Sequence, residues 1–166
     1  MMAEMKIAGK QLPVLESVLP SNQLQIEKVL SMLLTNGRRK VGLIGLSFKA
    51  NTDDLRESPA VDLVERLIGK GFELRIYDRE VSLSQLYGSN QAYIERTIPH
   101  IASLVRLTLQ EIIEESDTIV ITKQPSDDEY KIIVDSLRSD QTLIDLVKLD
   151  EIGVNGFQGK YIGVAW

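Results

Sequence analysis

The sequence predicts an α/β fold: a Rossmann-like, mainly parallel sheet flanked by helices and preceded by a long N-terminal helix. Short apolar runs alternate with segments in which apolar residues recur every three or four positions. Alternating strands and helices favour a parallel sheet covered on both faces. The first strand, helix and strand occupy residues 40–77, and such a unit is right-handed almost without exception. The 166 residues suffice for one such domain and one additional helix.

The long N-terminal helix is predicted over residues 12–35, where apolar side chains share one helical face. Pro20 interrupts the pattern, and a proline inside a helix removes a hydrogen-bond donor. We therefore expect either a kink at Pro20 or a second helix that begins near Ser21. Residues 36–37, Asn-Gly, should end the helix, because glycine tolerates the left-handed conformation.

The remaining elements follow from the same patterns. Ser58 and Pro59 should open a helix, since serine is a good N-cap and proline suits the first helical position. Further helices are predicted over 108–115 and 127–137. Strands are predicted over 40–46, 72–77, 118–122, 141–146 and 161–165.

Composition excludes several functions. The net charge is −5 and the basic residues form no long run, so nucleic acid is not an expected partner. The chain has no cysteine and one histidine, which excludes disulfides, thiolate metal sites and multi-histidine metal sites. No apolar run approaches the roughly 20 residues that cross a bilayer, and the N-terminus lacks the apolar region of a signal peptide. We therefore expect a cytoplasmic protein with no metal site and no membrane contact.

The turn after the first strand concentrates the residues suited to binding. In open parallel sheets, ligands bind outside the carboxyl ends of the strands, near this turn. The turn covers residues 46–59, which is long, and it carries Phe48, Lys49 and Arg56 just before a helix N-terminus. Helix N-termini favour anions, so the pattern indicates an anion or phosphate site. The alternative is a surface loop whose acidic and basic side chains neutralise each other.

The same turn lacks the dinucleotide-binding fingerprint. Gly42 and Gly45 do not make the pattern G-x-G-x-x-G, and no glycine stands where the helix begins. Without those glycines the backbone stays further from a pyrophosphate. We therefore do not expect this domain to hold the main NAD site.

A long signature then identifies a family. Residues 42–49, GLIGLSFK, followed by residues 52–59, TDDLRESP, resemble the G-L-x-F-K-x-x-T-D-D-x-R-E-S-P signature of the UDP-glucose/GDP-mannose 6-dehydrogenase family. The similarity runs from about Leu12 to Trp166. Segments 93–95, 98–100 and 163–166 are more similar to the GDP-mannose branch than to the UDP-glucose branch.

The resemblance implies an enzyme of which this chain is one part. A full-length member has an N-terminal NAD domain, a central helix that builds a homodimer, and a C-terminal domain that binds the nucleotide sugar. It oxidises the sugar C6 alcohol to a carboxylate in two hydride transfers, and a cysteine carries the thioester intermediate. By this resemblance, residues 1–37 are the central dimerisation helix region and residues 38–166 the nucleotide-sugar-binding domain. Because the NAD domain and the cysteine are missing, we expect the isolated chain to be inactive.

The resemblance also implies roles for the cationic and aromatic side chains. Phe48 and Lys49 match residues that contact the nucleotide sugar, GDP-mannose or UDP-glucose. Lys148 matches, more loosely, an arginine that contacts the same ligand. Arg56 matches an arginine that reaches toward the NAD pyrophosphate, where its two parallel donors suit phosphate oxygens.

Other matched residues are expected to support the site. Thr52, Asp53, Asp54 and Glu57 should shape the turn or orient the two cations. Asn22 matches an asparagine of the central helix and should lie at the dimer seam, where a polar residue can determine register. Its alternative role is an exposed N-cap beside the proline.

Two further interpretations stay open. The chain could belong to a UDP-glucose 6-dehydrogenase, or it could be a stand-alone nucleotide-binding or dimerisation module without catalysis. A receiver-like signalling domain is disfavoured, because the acidic pair that follows the first strand of such domains is absent.

Overall fold

The computed structural model describes residues 13–47, 55, 58–81, 101–149 and 156–164. In these ranges the helices are α1 Pro13–Asn36, α2 Pro59–Gly69, α3 Ile101–Leu104, α4 Leu109–Glu115 and α5 Asp127–Ser136. The strands are β1 Lys40–Ile44, β2 Glu73–Tyr77, β3 Thr118–Ile121, β4 Thr142–Asp145 and β5 Lys160–Gly163. No helix within the described ranges is long and apolar enough to cross a membrane.

The strands of the described ranges form one sheet in the order β2-β1-β3-β4-β5, and every neighbouring pair is parallel. This confirms the predicted α/β class. β2 lies on one side of β1, whereas β3 and the later strands lie on its other side. The strand order therefore reverses between β1 and β3. In doubly wound folds with this order, ligands bind outside the carboxyl ends of the strands at that reversal.

Helices cover both faces of the sheet, and each face has its own apolar cluster. On one face, α1 and α2 pack against the sheet through side chains such as Leu33, Leu43, Leu63, Leu67 and Ile76, which are 0–2% exposed. On the other face, α4 and α5 pack through Ile112, Ile113, Ile119, Ile121 and Ile133, all 0% exposed. Burial of such side chains is the main stabilising contribution, about 1.5–3 kcal/mol each.

Helix α1 crosses the sheet from its carboxyl edge to its amino edge. At its C-terminal end, the Asn36 amide donates hydrogen bonds to the hydroxyls of Thr118 and Thr142, the first residues of β3 and β4. Nearer its N-terminus, the Lys28 ammonium donates to the carbonyl of Val164, just after β5. The N-terminal half of α1 therefore lies beside the edge where ligands bind in this fold.

Helix α1 continues through Pro20 as one element. The alternative of a second helix that begins near Ser21 is wrong. Asn22 therefore lies inside a helix, and the alternative of Asn22 as an N-cap is also wrong. The ring of Pro20 is exposed, which agrees with a proline that is tolerated on the outer side of a helix packed through its opposite face.

Strand β1 ends at Ile44, two residues earlier than the sequence pattern indicates. The physical reason is a change of hydrogen-bond partner. The Leu46 N–H donates to the side chain of Asp78 and not to a neighbouring strand. The other predicted strand and helix boundaries agree with the structure to within two residues, and the short helix α3 was not predicted.

Candidate functional site

Two cavities open at the carboxyl edge of the sheet. The first, here called the charged cavity, has a volume of about 280 Å³ and lies where β1, β2 and β3 end. The second, here called the interhelix cavity, has a volume of about 290 Å³ and lies between α1, the start of α2 and the ends of the strands. They stand on opposite sides of the β1 end, at the reversal in strand order.

The charged cavity contains the carboxylate of Asp78, which accepts hydrogen bonds from other groups of the same chain. The Asp78 side chain is 1% exposed. Its Oδ2 accepts hydrogen bonds from the N–H groups of Leu46 (2.7 Å) and Ser47 (2.8 Å) and from the Ser47 hydroxyl (2.9 Å). Its Oδ1 accepts from the N–H groups of Glu80 and Val81. Asp78 therefore binds main chain, although an acidic residue at this place in dinucleotide-binding folds binds ribose.

The environment keeps Asp78 ionised. Burial by itself raises the pKa of the carboxyl, but the N–H donors of Ser47 and Leu46 and the Lys123 ammonium outweigh it. The pKa of Asp78 is therefore lowered from its ordinary value of 3.8. A permanent negative charge thus lies behind the end of β1.

Lys123 supplies the balancing charge. Its Nζ is 2.7 Å from the Ser47 Oγ, 2.7 Å from the Glu80 carboxylate and 3.6 Å from the Asp78 carboxylate. The lysine follows β3 and passes close over Gly45, which has a φ of +98°. A methyl group on Gly45 would lie 2.4 Å from the Lys123 Cβ, so only glycine fits this crossing.

A second hydrogen-bond network closes the outer side of the charged cavity. The Tyr77 hydroxyl donates to the Glu129 carboxylate at 3.1 Å. Burial, then the Glu129 charge and its hydrogen bond, raises the pKa of Tyr77 to about 12. Glu129 also completes a capping box with Ser126 at the start of α5. The spacing Ser126-x-x-Glu129 in the sequence is a known helix-start pattern and could have located this network.

The interhelix cavity is neutral in its described lining. Hydroxyl and amide groups come from Asn22, Gln25, Ser47, Ser58 and Thr122, and apolar side chains form the remainder of the wall. The apolar lining residues are Ile26, Val29, Pro59, Ala60, Leu63, Leu146 and Val164. The N-terminus of α2, eleven residues long, opens onto this cavity, and the helix dipole there favours an anion.

Ser58 stands at the predicted N-cap position of α2, but its side chain makes no capping hydrogen bond. Its hydroxyl donates to the Leu46 carbonyl at 2.8 Å. Leu46 is thus held from both sides, its N–H by Asp78 and its carbonyl by Ser58. The two ends of the turn between β1 and α2 are therefore tied to each other at the cavity.

The turn after β4, at the same edge of the sheet, is held by the side chain of Asp145. Asp145 is 0% exposed and accepts hydrogen bonds from the N–H groups of Val147 (2.8 Å) and Leu149 (2.7 Å) and from the Tyr161 hydroxyl (2.7 Å). This bracket holds Lys148 in the left-handed region with a φ of +61°. Such a conformation is uncommon for a residue other than glycine.

The described residues include two of the residues predicted for the site. Asn22 lines the interhelix cavity. Lys148 is exposed and belongs to neither described lining. The other predicted residues lie outside the described ranges: Phe48, Lys49, Thr52, Asp53, Asp54, Arg56 and Glu57. Ser47 and Ser58, which flank that segment, both line the interhelix cavity.

Sequence reasoning missed most of the polar lining. Thr122 and Gln25 are ordinary surface-type residues in the sequence, and no pattern joins them to Ser47, which lies inside the signature. Their positions at strand ends or on α1 could have suggested the carboxyl edge, but not the cavity. In the described ranges, no group of three or more His, Asp or Glu side chains is placed to hold a metal ion.

Comparison with known proteins identifies the family. The model of the UDP-glucose/GDP-mannose dehydrogenase family, UDP binding domain, matches residues 42–149. A GDP-mannose 6-dehydrogenase of Pseudomonas aeruginosa is 47% identical over 135 residues, which are 81% of this chain and 30% of that protein. A UDP-glucose 6-dehydrogenase of Rickettsia bellii is 30% identical over 165 residues, 90% of this chain and 35% of that protein.

A solved structure extends the similarity to the three-dimensional fold. The ternary complex of GDP-mannose dehydrogenase from Pseudomonas aeruginosa matches with a TM-score of 0.80 and 39% identity, over 99% of this chain and 37% of that chain. The chain thus spans about a third of the length of these relatives. The sequence of this chain is more similar to that GDP-mannose 6-dehydrogenase than to that UDP-glucose 6-dehydrogenase. From the signature, the fold and these matches, the chain belongs to the UDP-glucose/GDP-mannose dehydrogenase family.

Proposed function

We propose that this chain supplies the nucleotide-sugar-binding part of an NAD-dependent nucleotide-sugar 6-dehydrogenase whose substrate is GDP-mannose. The complete enzyme would oxidise the C6 alcohol of the mannose to the carboxylate of GDP-mannuronate, a precursor for polysaccharide synthesis. One observation carries the proposal: the interhelix cavity combines hydroxyl and amide groups with an open helix N-terminus, beside the family signature.

Electrostatics favours the interhelix cavity over the charged cavity as the substrate site. The charged cavity holds the carboxylates of Asp78, Glu80 and Glu129 against the cations of Arg79 and Lys123, so a diphosphate would meet a surplus of negative charge. The described lining of the interhelix cavity carries no charged side chain. A diphosphate there would meet the α2 N-terminus, neutral side chains and the cations that the adjoining segment provides.

The segment between Ser47 and Ser58 is proposed to provide those cations. It contains Phe48 and Lys49, which we assign to the nucleotide sugar by resemblance to the family. A lysine is a compact charge suited to phosphate oxygens or sugar hydroxyls, and the phenylalanine offers a face for a ring. Lys148 stays a weaker candidate, because it is exposed and lines neither described cavity.

The described strand–helix–strand unit does not fit NAD. The carboxylate at the end of β2, Asp78, is occupied by main-chain donors and the Ser47 hydroxyl, and the turn after β1 lacks the glycine fingerprint. NAD, which accepts the hydrides in such enzymes, would therefore bind on another part of the enzyme. Arg56 is proposed to reach its pyrophosphate from this chain, with Thr52, Asp53, Asp54 and Glu57 in support.

A homodimer through α1 is part of the proposal. Val18, Leu24 and Leu34 of α1 are 46%, 71% and 43% exposed, and burial of such side chains against a second copy would remove apolar surface from water. Asn22 was assigned to the dimer seam by resemblance. Its place in the interhelix cavity supports a contact with the bound sugar nucleotide equally well.

Calorimetric titration of the chain with GDP-mannose, UDP-glucose and free mannose tests the proposed function. We expect saturable binding of GDP-mannose, weaker binding of UDP-glucose and none of mannose, because the diphosphate supplies the charge that the helix N-terminus attracts. Tighter binding of UDP-glucose would favour the alternative of a UDP-glucose 6-dehydrogenase. Binding of no nucleotide sugar at millimolar concentration would contradict the assignment of a substrate half-site to this chain.

An activity assay separates the enzyme part from the stand-alone module. The chain has no cysteine, so it cannot form the thioester that the second oxidation requires. With GDP-mannose and NAD it should form no NADH. Formation of NADH after addition of an NAD-binding partner polypeptide of the same family would favour the enzyme part, whereas NADH formed by the chain alone would contradict it.

A further inference from the structure

A shared wall separates the two cavities at the end of β1. Ser47 lines the interhelix cavity, while Asp78 and Lys123 line the charged cavity. The Ser47 hydroxyl lies between these two charges, 2.9 Å from the Asp78 Oδ2 and 2.7 Å from the Lys123 Nζ. Ser47, a residue of the interhelix cavity wall, is thus oriented by ions that line the charged cavity.

We propose that Lys123 is a positioning residue for the nucleotide-sugar site and acts through the hydroxyl of Ser47. The inference rests on the proposed function, because it assigns a role in binding at the interhelix cavity. Lys123 itself is not among the described residues that line that cavity. Its hydrogen bond to the Ser47 hydroxyl links it to a residue that does line the cavity.

The hydrogen-bond directions explain how Lys123 acts. An ammonium can only donate, so Lys123 donates to the Ser47 Oγ. The single hydrogen of the serine hydroxyl is then directed to the Asp78 carboxylate. With its main-chain N–H on the same carboxylate, Ser47 is held at two atoms, and both the backbone and the side chain of this cavity wall are oriented.

The charge balance makes Lys123 necessary for this arrangement. The carboxylates of Asp78 and Glu80 are 1% and 25% exposed, and Lys123 lies within 3.6 Å and 2.7 Å of them. Without the ammonium, two partly or fully buried negative charges would face each other across the cavity. Glu80 would then turn toward solvent, and the Ser47 hydroxyl would lose the donor that sets its direction.

The main chain is built to bring Lys123 to this place. At Gly45 the added methyl group of any other residue would collide with the Lys123 Cβ at 2.4 Å and approach its N at 3.0 Å. Gly45 also takes a φ of +98°, which side-chain-bearing residues rarely adopt. The close crossing of β1 and the segment after β3 therefore places the lysine stem beside Ser47.

A double-mutant cycle tests the proposal on the full chain. Lys123→Met removes the ammonium and keeps an aliphatic stem, Ser47→Ala removes the hydroxyl, and the third variant carries both changes. We expect each single change to weaken GDP-mannose binding about tenfold, and the double change to weaken it no further than one of them, since coupled residues are not additive. Independent effects that multiply would overturn the proposal.

Two further variants separate positioning from folding and from loss of charge. Lys123→Arg retains a cation and should recover part of the lost affinity. Lys131→Met removes an exposed lysine of α5 and should bind as the wild-type chain does. All titrations are run well below the lowest melting temperature of the set. An affinity for Lys123→Met equal to that of Lys131→Met would overturn the proposal.

Amide hydrogen exchange gives a measurement that needs no ligand. Loss of the ammonium should speed exchange of the Ser47 N–H in Lys123→Met, but not in Lys131→Met, because the Ser47–Asp78 contact loosens. Unchanged Ser47 exchange would overturn the inference even if GDP-mannose binds. If the wild-type chain does not bind GDP-mannose but Lys123→Met does speed exchange of the Ser47 N–H, the proposed function is wrong and the contact between Lys123 and Ser47 stands.

Discussion

Two buried aspartates lie at the carboxyl edge of the sheet, Asp78 just after β2 and Asp145 at the end of β4, and they have different hydrogen-bond partners. Asp145 binds N–H groups two and four residues further along its own turn. Asp78 also binds N–H groups of its own turn, but its Oδ2 reaches residues 31 and 32 positions earlier in the chain. The main-chain donors of Asp145 are all in its own turn, with one side-chain donor from β5, whereas Asp78 joins the main chain after β1 to the end of β2. Two buried aspartates at the same edge of one sheet therefore need not have the same structural role.

The largest effect is expected for loss of the Asp78 charge. Asp78→Asn leaves Lys123 without one partner and leaves the N–H groups of Leu46 and Ser47, just after β1, with a poorer acceptor. Removal of one member of a buried charged network costs about 3–5 kcal/mol. Urea denaturation should show this decrease in the free energy of unfolding, while Asp135→Asn, at an exposed position of α5, should change it little. If Asp78→Asn lowers the free energy of unfolding less than Asp145→Asn does, the comparison is reversed.

The Asp78 carboxylate should also make the free energy of unfolding depend on pH in the acid range. The pKa of Asp78 is lowered in the folded chain, so its contribution is present above the unfolded value and is lost as the pH falls through the folded value. Wild-type stability should therefore continue to fall below pH 3.8. The curve for Asp78→Asn should be flatter in that range. Parallel curves, measured by urea denaturation at several pH values, would contradict the assigned role.

A smaller effect is expected for Asp145→Asn. Its partners are two N–H groups and the Tyr161 hydroxyl, and a local turn can rearrange to meet solvent. Leaving buried donors unsatisfied costs about 1–3 kcal/mol. The denaturation midpoint should fall less than for Asp78→Asn, and amide exchange should rise only near residues 146–149. Exchange that also rises in β1 would show that this bracket is not local.

Tyr161→Phe should have a smaller effect still, because it removes one hydroxyl from the Asp145 bracket and keeps the ring. A single buried hydrogen bond contributes about 1 kcal/mol. The variant measures how much of the Asp145 effect comes from β5 and how much from its own turn. A loss as large as that of Asp145→Asn would assign the whole effect to the contact between the two strands.

The outer rim of the charged cavity should respond at the alkaline end. Because the pKa of Tyr77 is raised to about 12, its neutral form stabilises the fold below pH 10, and this contribution is lost as the pH rises toward 12. Phenolate absorbance should include a step near pH 12 from Tyr77. That step should be missing in Tyr77→Phe, and its persistence would assign it to another tyrosine.

Much of the fold follows from local patterns in the sequence. Apolar spacing predicts the strand and helix order and the parallel sheet, because a periodicity of two or of three to four reports which side of an element is buried. The signature after β1 predicts the family, because so many fixed positions match. Pro20 shows the limit of local reasoning. Packing of Ile26, Val29, Leu30 and Leu33 supports α1 on the sheet despite the proline.

The carboxyl edge shows what the amino-acid order left undetermined. From the sequence alone, Asp78 is an acidic residue after a strand and Lys123 a polar residue after another, with no sign that they meet at Ser47. Their contact requires β2 and β3 to stand on either side of β1. Hydrogen bonds between residues so far apart depend on that strand order, which periodicity does not encode. The sequence by itself determined the class of fold and the family, and the tertiary structure decided which polar groups face each other, because those partners become neighbours only when the sheet has formed.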